Sequence, residues 1–365
     1  MVCDTSVSTF YAAVTAPLSP LGNISCTVLN RIVEEGARTI MEYRHLGRAG
    51  VRVSTISLGS WLTYGGSVEE QGAVDCIHKA YDLGINFFDT ANGYAGGRAE
   101  EVVGRAIKDF PRDTYFLATK VFFPVGEGPN QRGLSRKHIM EQCNASLRRL
   151  GVDYVDLYQC HRPDPETPVD ETLRALDDLV TQGKILYAGV SEWSVTQLAD
   201  AVYVGRELNL DPIVSNQPVY SLLERYIEPE IIPFCEKHGI GQVVFSPLAQ
   251  GVLTGKYKPG QQPEQGTRAA DEKSNQFMGR FMNDETLAAV QNLQGVAQEA
   301  GYSLAELALA WVLRQPNVSS AIIGASRPQQ VEQNARAADI TLSEDLLKRI
   351  DETLGAVVSY DAGRG

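Results

Sequence analysis

The sequence predicts an α/β protein whose strands close into a (β/α)8 TIM barrel, with a long polar loop after the seventh strand and a helix at the C-terminal end. Three observations predict it. Short apolar runs rich in β-branched residues alternate with helically spaced segments between Met41 and Leu354, and that alternation calls for parallel strands covered by helices. The strand candidates number eight, the count that closes a barrel. The first of them runs into Leu58-Gly59-Ser60-Trp61, not into the Gly-x-Gly-x-x-Gly turn that usually marks the alternative, an open doubly wound sheet. A length of 365 residues is normal for such a barrel with insertions.

The first strand is the β-branched run 51–58. Residues 69–83 follow with helical spacing (Ala73, Ile77, Ala80, Tyr81) and stop at Gly84. A strand at 86–90 leads to a helix at 99–107, and a strand at 114–120 to a Gly/Pro loop at 124–133. Ser135 caps a helix through Leu150, which Gly151 ends. The strand 154–161 runs into Pro163 and Pro165, and its helix, 169–182, stops at Gly183. Strands at 185–190, 213–216 and 242–246 precede, in turn, a helix at 195–207, a helical stretch at 228–238 stopped by Gly239, and the polar loop 249–283. Helices at 284–300 and 303–314, the last strand at 319–323, and helices at 328–338 and 343–354 complete the pattern.

Residues 1–40 show neither period. Asp4 and the breaks at Pro17, Pro20 and Gly22 argue against a secretory signal. This stretch is expected to be a poorly ordered extension, or a product of an upstream start codon with Met41 as the true start. The barrel is then expected over 41–355, with a C-terminal tail at 356–365.

Hydrophobic residues make up 43% and charged residues 21%, a balance that suits a soluble globular protein. No apolar run is long enough to cross a bilayer. A formal net charge of -12 argues against nucleic acid and anionic membranes as general partners, while leaving room for a local basic pocket. Cys3, Cys26, Cys76, Cys143, Cys160 and Cys235 are scattered, with neither Cys-x-x-Cys nor zinc-finger spacing. They are expected to be reduced residues of a cytoplasmic protein that holds no metal.

Four polar residues stand at consecutive strand ends: Asp89, then Tyr94 on the loop after it, Lys120 and His161. Chemistry in such barrels lies on that rim. A tyrosine titrates near pKa ~10, and a neighbouring cation favours its phenolate. Lys120 can be that cation, Asp89 can hold it charged, and His161 can hydrogen-bond a carbonyl oxygen. Each residue alone reads as well as a cap, a packing aromatic or a surface charge; their joint placement makes an acid–base set. The later strand ends carry Ser191 and Gln217, which suit a carboxamide, and Tyr220, which could stack on a flat ring. Gly324, Ala325, Ser326 and Arg327 open a helix and suit an anion. Lys256, Arg268 and Arg327 would give phosphates a basic setting.

These motifs together resemble the aldo-keto reductase superfamily: Phe88-Asp89-Thr90-Ala91 with Tyr94, Thr119-Lys120, Gln159-Cys160-His161-Arg162-Pro163-Asp164, Ser246-Pro247-Leu248 and Ile323-Gly324-Ala325-Ser326. Tyr43-Arg44-His45-Leu46-Gly47-Arg48-Ala49-Gly50 and Gly133-Leu134-Ser135-Arg136-Lys137-His138-Ile139 resemble the branch of voltage-gated potassium channel β-subunits and their bacterial and plant relatives. The resemblance runs from Met41 to Leu354. It implies NADPH-dependent reduction of aldehydes and ketones, with Asp89, Tyr94, Lys120 and His161 catalytic and Tyr94 the general acid.

The same resemblance implies Ser191 and Gln217 on the nicotinamide carboxamide. Ser246, Leu248, Gly251, Lys256, Tyr257 and Arg268 would hold the pyrophosphate and adenosine side. Gly324, Ser326, Arg327, Gln330 and Asn334 would surround the adenosine and its 2′-phosphate, and the loop 249–283 would close over the cofactor. Trp61, Tyr64, Phe122, Phe123 and Trp193 are the candidate substrate wall, which suggests small or aromatic aldehydes. A homo-oligomer is implied, and the alternative reading is an NADPH-binding, redox-sensing accessory subunit of a potassium channel. Animal channel β-subunits tend to carry Asn where His161 stands, which favours a working reductase. Glu192 departs from the Asn or Arg of many relatives.

Overall fold

A computed structural model of the chain describes residues 41–61, 64, 69–271, 275 and 278–361; the extension expected over 1–40 and the end of the tail, 362–365, lie outside the described residues. Two short strands open it. β1 (Tyr43–His45) and β2 (Arg52–Ser54) pair antiparallel. The run 51–58, expected as one strand, is therefore two. It divides at Thr55, because β2 pairs with β1 while β3 (Ile56–Gly59) joins the main sheet.

Eight parallel strands form that sheet: β3, β4 (Phe87–Asp89), β5 (Phe116–Val121), β6 (Val155–Cys160), β7 (Ile185–Ser191), β8 (Ile213–Gln217), β9 (Gly241–Val244) and β10 (Val318–Ile323). They pair in chain order and close β10 onto β3, so the predicted (β/α)8 barrel is the observed one. Two hydrophobic layers hold it. Phe87, Phe116, Ala118, Leu157, Val214, Val243 and Ile322 pack together with Leu46 and Val53 of the β1–β2 hairpin, in a cluster separate from the larger one. Phe88, Leu117, Tyr158 and Ile323, one residue along their strands, belong to the larger cluster that the helices cover; successive side chains of a strand point to opposite faces. The hairpin turn seats tightly. Gly47 has φ +54°, and a Cβ there would lie 2.4 Å from the Gly239 carbonyl oxygen and 2.6 Å from the Gly241 nitrogen.

The predicted helices form with their signals in place. Ser135 accepts from the His138 N–H, and Gly151 ends that helix, Arg136–Leu150, at φ 69°. Ser194 with Gln197 and Ser303 with Glu306 make reciprocal capping boxes for Val195–Glu207 and Leu304–Leu313. The stretch expected from 228 becomes helical only at Ile231. The residues before it make a turn that bonds the end of the chain: Arg225 N–H donates to Ser359 O at 2.8 Å, and Ser359 N–H to Leu223 O at 2.9 Å. Within the polar loop 249–283, the described residues form short 3-10 turns at Ala249–Thr254, Arg268–Ala270 and Gly279–Phe281.

Candidate active site

Asp89 ends β4, Lys120 is next to last in β5, and His161 follows β6 directly. Strand alternation explains why they meet. Phe87, Ala118 and Leu157 face the inner layer, and Asp89, Lys120 and Gln159 stand two residues further along the same faces. Tyr94 comes from the β4 loop. A tight turn follows it, in which Ala95, Gly96 and Gly97 have φ of 49°, 65° and 95°.

Lys120 is wholly buried. Its ammonium donates to Asp89 Oδ1, to Thr90 O at 2.9 Å and to the Tyr94 hydroxyl oxygen at 3.4 Å. The second Asp89 oxygen accepts from Gln217 Nε2 at 3.0 Å and from Gln159 Nε2 at 3.4 Å. The Tyr94 hydroxyl stands 3.4 Å from His161 Nε2, with the two rings at 74°. All four expected residues therefore form one connected set. Gln159 was not among them. Its signal was the i, i+2 spacing to His161 along one strand, a polar group two residues beyond the apolar Leu157 on the same face. Behind β5, Thr119 donates to buried Glu100 at 2.5 Å, and Glu100 pairs with Arg149 Nε at 2.6 Å, which ties the strand carrying Lys120 to two covering helices.

The charges follow from this geometry. Burial pulls the Lys120 ammonium down, but Asp89 and Tyr94 outweigh it and hold its pKa above the ordinary lysine value. Burial pushes the Tyr94 phenol up, and the opposing pull of Lys120 does not overcome it. The expected downward shift of Tyr94 is thus reversed, because a buried phenolate loses more hydration than one nearby cation returns. Burial, then Lys120 and Arg162, hold the His161 imidazole well below its usual pKa, so it is neutral at physiological pH. Its Nδ1 is buried and makes no hydrogen bond.

The residues expected to bind a cofactor line the other strand ends. Ser191 is buried and donates to Gln217 O at 2.8 Å. After β9, Ser246, Ala249, Gln250 and Gly251 have φ of 54°, 45°, 61° and 93°. Left-handed non-glycine residues are costly and cluster at functional sites; turns of this kind can present N–H groups to an anion. Gln250 Nε2 donates to Ser246 Oγ at 2.8 Å, and Leu248 packs on the core. Lys256 is exposed, its ammonium 5.1 Å from the Tyr257 ring centre. Tyr257 is buried and its hydroxyl accepts from Ala269 N–H at 3.3 Å. The Arg268 guanidinium lies 5.1 Å from the Trp61 ring centre, and burial draws its pKa down to about 10. Gly324, Ser326 and Arg327 are exposed before the helix Pro328–Ala335. Gln330 Oε1 accepts from Ser326 N–H at 2.8 Å, and Asn334 is buried in that helix.

The remaining candidates lie deeper in the fold. Tyr64 and Trp193 are buried in the hydrophobic core, and Phe122 packs against it. Tyr220 does not offer its ring for stacking at the rim. It is wholly buried against Trp311, donates to Glu228 at 2.6 Å and accepts from Arg314 at 3.0 Å. Glu192, at φ 61°, accepts from Val219 N–H at 2.9 Å and from the Tyr226 hydroxyl at 2.7 Å. Among the described residues no group of His, Cys, Asp and Glu suits a metal, and no helix is long and apolar enough to cross a membrane.

A model of the Aldo/keto reductase family matches residues 55–354. A protein of Arabidopsis thaliana named "Probable voltage-gated potassium channel subunit beta" is 42% identical over 319 residues, 86% of this chain and 97% of that protein. One of the same name from Oryza sativa subsp. japonica is 43% identical over 316 residues, covering 85% and 96%.

Proposed function

Because the chain belongs to the aldo/keto reductase family, we propose that it is an NADPH-dependent reductase of aldehydes and ketones. One observation carries the reading: the Tyr94 hydroxyl stands 3.4 Å from both a buried ammonium, Lys120, and a neutral imidazole, His161. Support for the cofactor comes from the left-handed residues Ser246, Ala249, Gln250 and Gly251 and from Lys256 and Arg327, exposed cations that form no ion pair among the described residues. Ser191 and Gln217 would hold the carboxamide. Ser246, Leu248, Gly251, Lys256, Tyr257 and Arg268 would hold the pyrophosphate side, and Gly324, Ser326, Arg327, Gln330 and Asn334 the 2′-phosphate side. Bound there, NADPH supplies the hydride.

The protein's own groups manage the proton. Lys120 donates into the Tyr94 oxygen, so the phenol hydrogen turns away from it, toward a substrate carbonyl oxygen. When that proton leaves, Lys120 stabilises the phenolate, and Asp89 keeps Lys120 charged. His161 is neutral, and its unpartnered Nδ1 favours the Nε2–H tautomer, whose N–H can bond the same carbonyl oxygen. Four buried free cysteines, Cys76, Cys143, Cys160 and Cys235, support a reducing, cytoplasmic setting. In purified protein, Tyr94→Phe is expected to lower NADPH-dependent turnover of an aldehyde panel by about 10²–10⁴-fold. Unchanged kcat would overturn the mechanism. The names of the relatives favour a second reading, an accessory subunit of a potassium channel. Co-purification with a channel's cytoplasmic domain, together with slow turnover, would support it.

A further inference from the structure

The β1–β2 hairpin borders an open cleft of about 560 Å³ at the end of the barrel where the strands begin, with Gly241 of β9 and Ser319 of β10 on its wall. Asp89, Lys120 and His161 stand at the opposite strand ends, so this cleft is separate from the candidate active site. Four residues of the segment 43–52 line it with basic groups: Arg44, His45, Arg48 and Arg52. Arg44 holds the fold together. Its Nη1 donates to Leu313 O at 2.8 Å, Gln315 O at 3.4 Å and Val318 O at 2.9 Å, and its Nε pairs with Glu42 at 3.1 Å. Arg48 and Arg52 are exposed and form no ion pair and no side-chain hydrogen bond among the described residues.

Arg48 is nevertheless fixed at its base. Its N–H donates to Gly239 O at 2.8 Å. A Cβ added at Gly239 would lie 2.8 Å from Arg48 Cβ, 3.3 Å from Cγ and 3.2 Å from Cδ, so the stem packs on that glycine while the guanidinium stays open. His45 stands directly opposite Arg52 in the hairpin, which sets the imidazole and the guanidinium on one face. His45 Nδ1 lies 3.1 Å from Ala49 O. A carbonyl only accepts, so Nδ1 carries the proton and Nε2 is left for a ligand. Glu236 is the one acidic residue lining the cleft, and it forms no ion pair among the described residues. A guanidinium beside an imidazole gains nothing from that pairing, whereas an anion between them would satisfy both. In a chain of net charge -12, a local group of cations directs anions to one place.

We propose that this cleft binds a small phosphorylated molecule, with its phosphate held among Arg48, Arg52 and His45. A guanidinium matches phosphate oxygens two at a time. The packed stem of Arg48 reduces the ordering lost on binding, and a concave site of this volume takes a molecule larger than phosphate itself. The site is independent of the carbonyl chemistry at the other end of the barrel.

The test is titration calorimetry of inorganic diphosphate into the full-length protein saturated with NADP⁺, which fills the proposed cofactor site. The wild type is expected to take up the anion at a single site. Arg48→Met and Arg52→Met are each expected to weaken binding by about tenfold, the worth of one charge-assisted hydrogen bond. Glu236→Gln removes the opposing charge and is expected to tighten binding by about threefold, a gain that misfolding cannot produce. No binding to the wild type, or the same affinity in all four proteins, overturns the site. A loss in Lys256→Met that Arg48→Met does not share would place the anion at the other rim and also overturn it. Phosphatidylcholine vesicles containing phosphatidylinositol 4,5-bisphosphate present the same groups on a surface; binding to them, with none to free diphosphate, would overturn a small-molecule ligand.

Discussion

Lys120 and Asp89 form a buried ion pair whose two halves are not equally supported. If Lys120 is replaced by Met, Asp89 still accepts from Gln217 and Gln159. If Asp89 is replaced by Asn, the Lys120 ammonium keeps Thr90 O, the Tyr94 hydroxyl and the new amide oxygen as neutral acceptors but loses its opposing charge. A buried charge stripped of its partner costs about 3–5 kcal/mol. Asp89→Asn is therefore expected to destabilise by that amount, Lys120→Met by less, and the double variant by less than the sum of the two. Urea denaturation of the four proteins measures the cycle, and additive losses would contradict the pairing. At this scale the candidate set was legible, because a Lys or Asp at the end of an apolar strand is conspicuous. What stayed hidden was the balance of burial against charge. The rise of the Tyr94 pKa and the withdrawal of Tyr220 into the helix layer both depend on how completely neighbours from distant segments cover a ring. No local pattern encodes that cover.

Helices and strands were legible wherever a cap or stop lay beside a periodic run, as Ser135 and Gly151 do for Arg136–Leu150. The division of 51–58 was not, since β2 and β3 share one apolar composition and differ only in partner. Two helical glycines separate propensity from packing in the same way. Gly205 lies in Val195–Glu207, and a Cβ there would meet nothing nearer than Leu173 Cδ1 at 4.0 Å. Gly104 lies in Arg98–Ile107, and a Cβ there would stand 2.4 Å from the Leu150 carbonyl oxygen, at the end of the neighbouring helix. Helix propensity alone favours alanine at both positions by up to about 1 kcal/mol. Gly205→Ala is expected to raise stability by up to that amount. Gly104→Ala is expected to lower it by about 1–3 kcal/mol, because backbone must move. Thermal unfolding of the two variants decides it; the same sign for both would show that the contact between these helices yields freely.

For the whole molecule, two buried groups set opposing slopes of stability against pH. Glu224 has a side chain 3% exposed, paired with Arg280 at 2.5 Å on the polar loop. Burial pushes its pKa from 4.5 up to about 7, with Arg280 opposing and Glu192 assisting. Between these values the folded protein binds more protons than the unfolded chain, so stability falls as pH rises from 4.5 to about 7. The total is on the order of 3 kcal/mol. His161 acts in the other direction. Its folded pKa lies well below 6.5, so the unfolded chain binds the extra proton and stability falls as pH drops below 6.5. Each slope can be isolated as a difference from wild type, which removes the titrations the proteins share. Glu224→Gln cannot ionise, so its stability relative to wild type is expected to increase from pH ~5 to pH ~8. His161→Asn cannot take up a proton, so its relative stability is expected to increase over the reverse course, from pH ~7.5 to pH ~5. Denaturant midpoints at three pH values measure both. Difference curves that run parallel would mean that neither group is buried as the fold requires. Opposite slopes would show that folding raises the carboxyl pKa of Glu224 and lowers the imidazole pKa of His161.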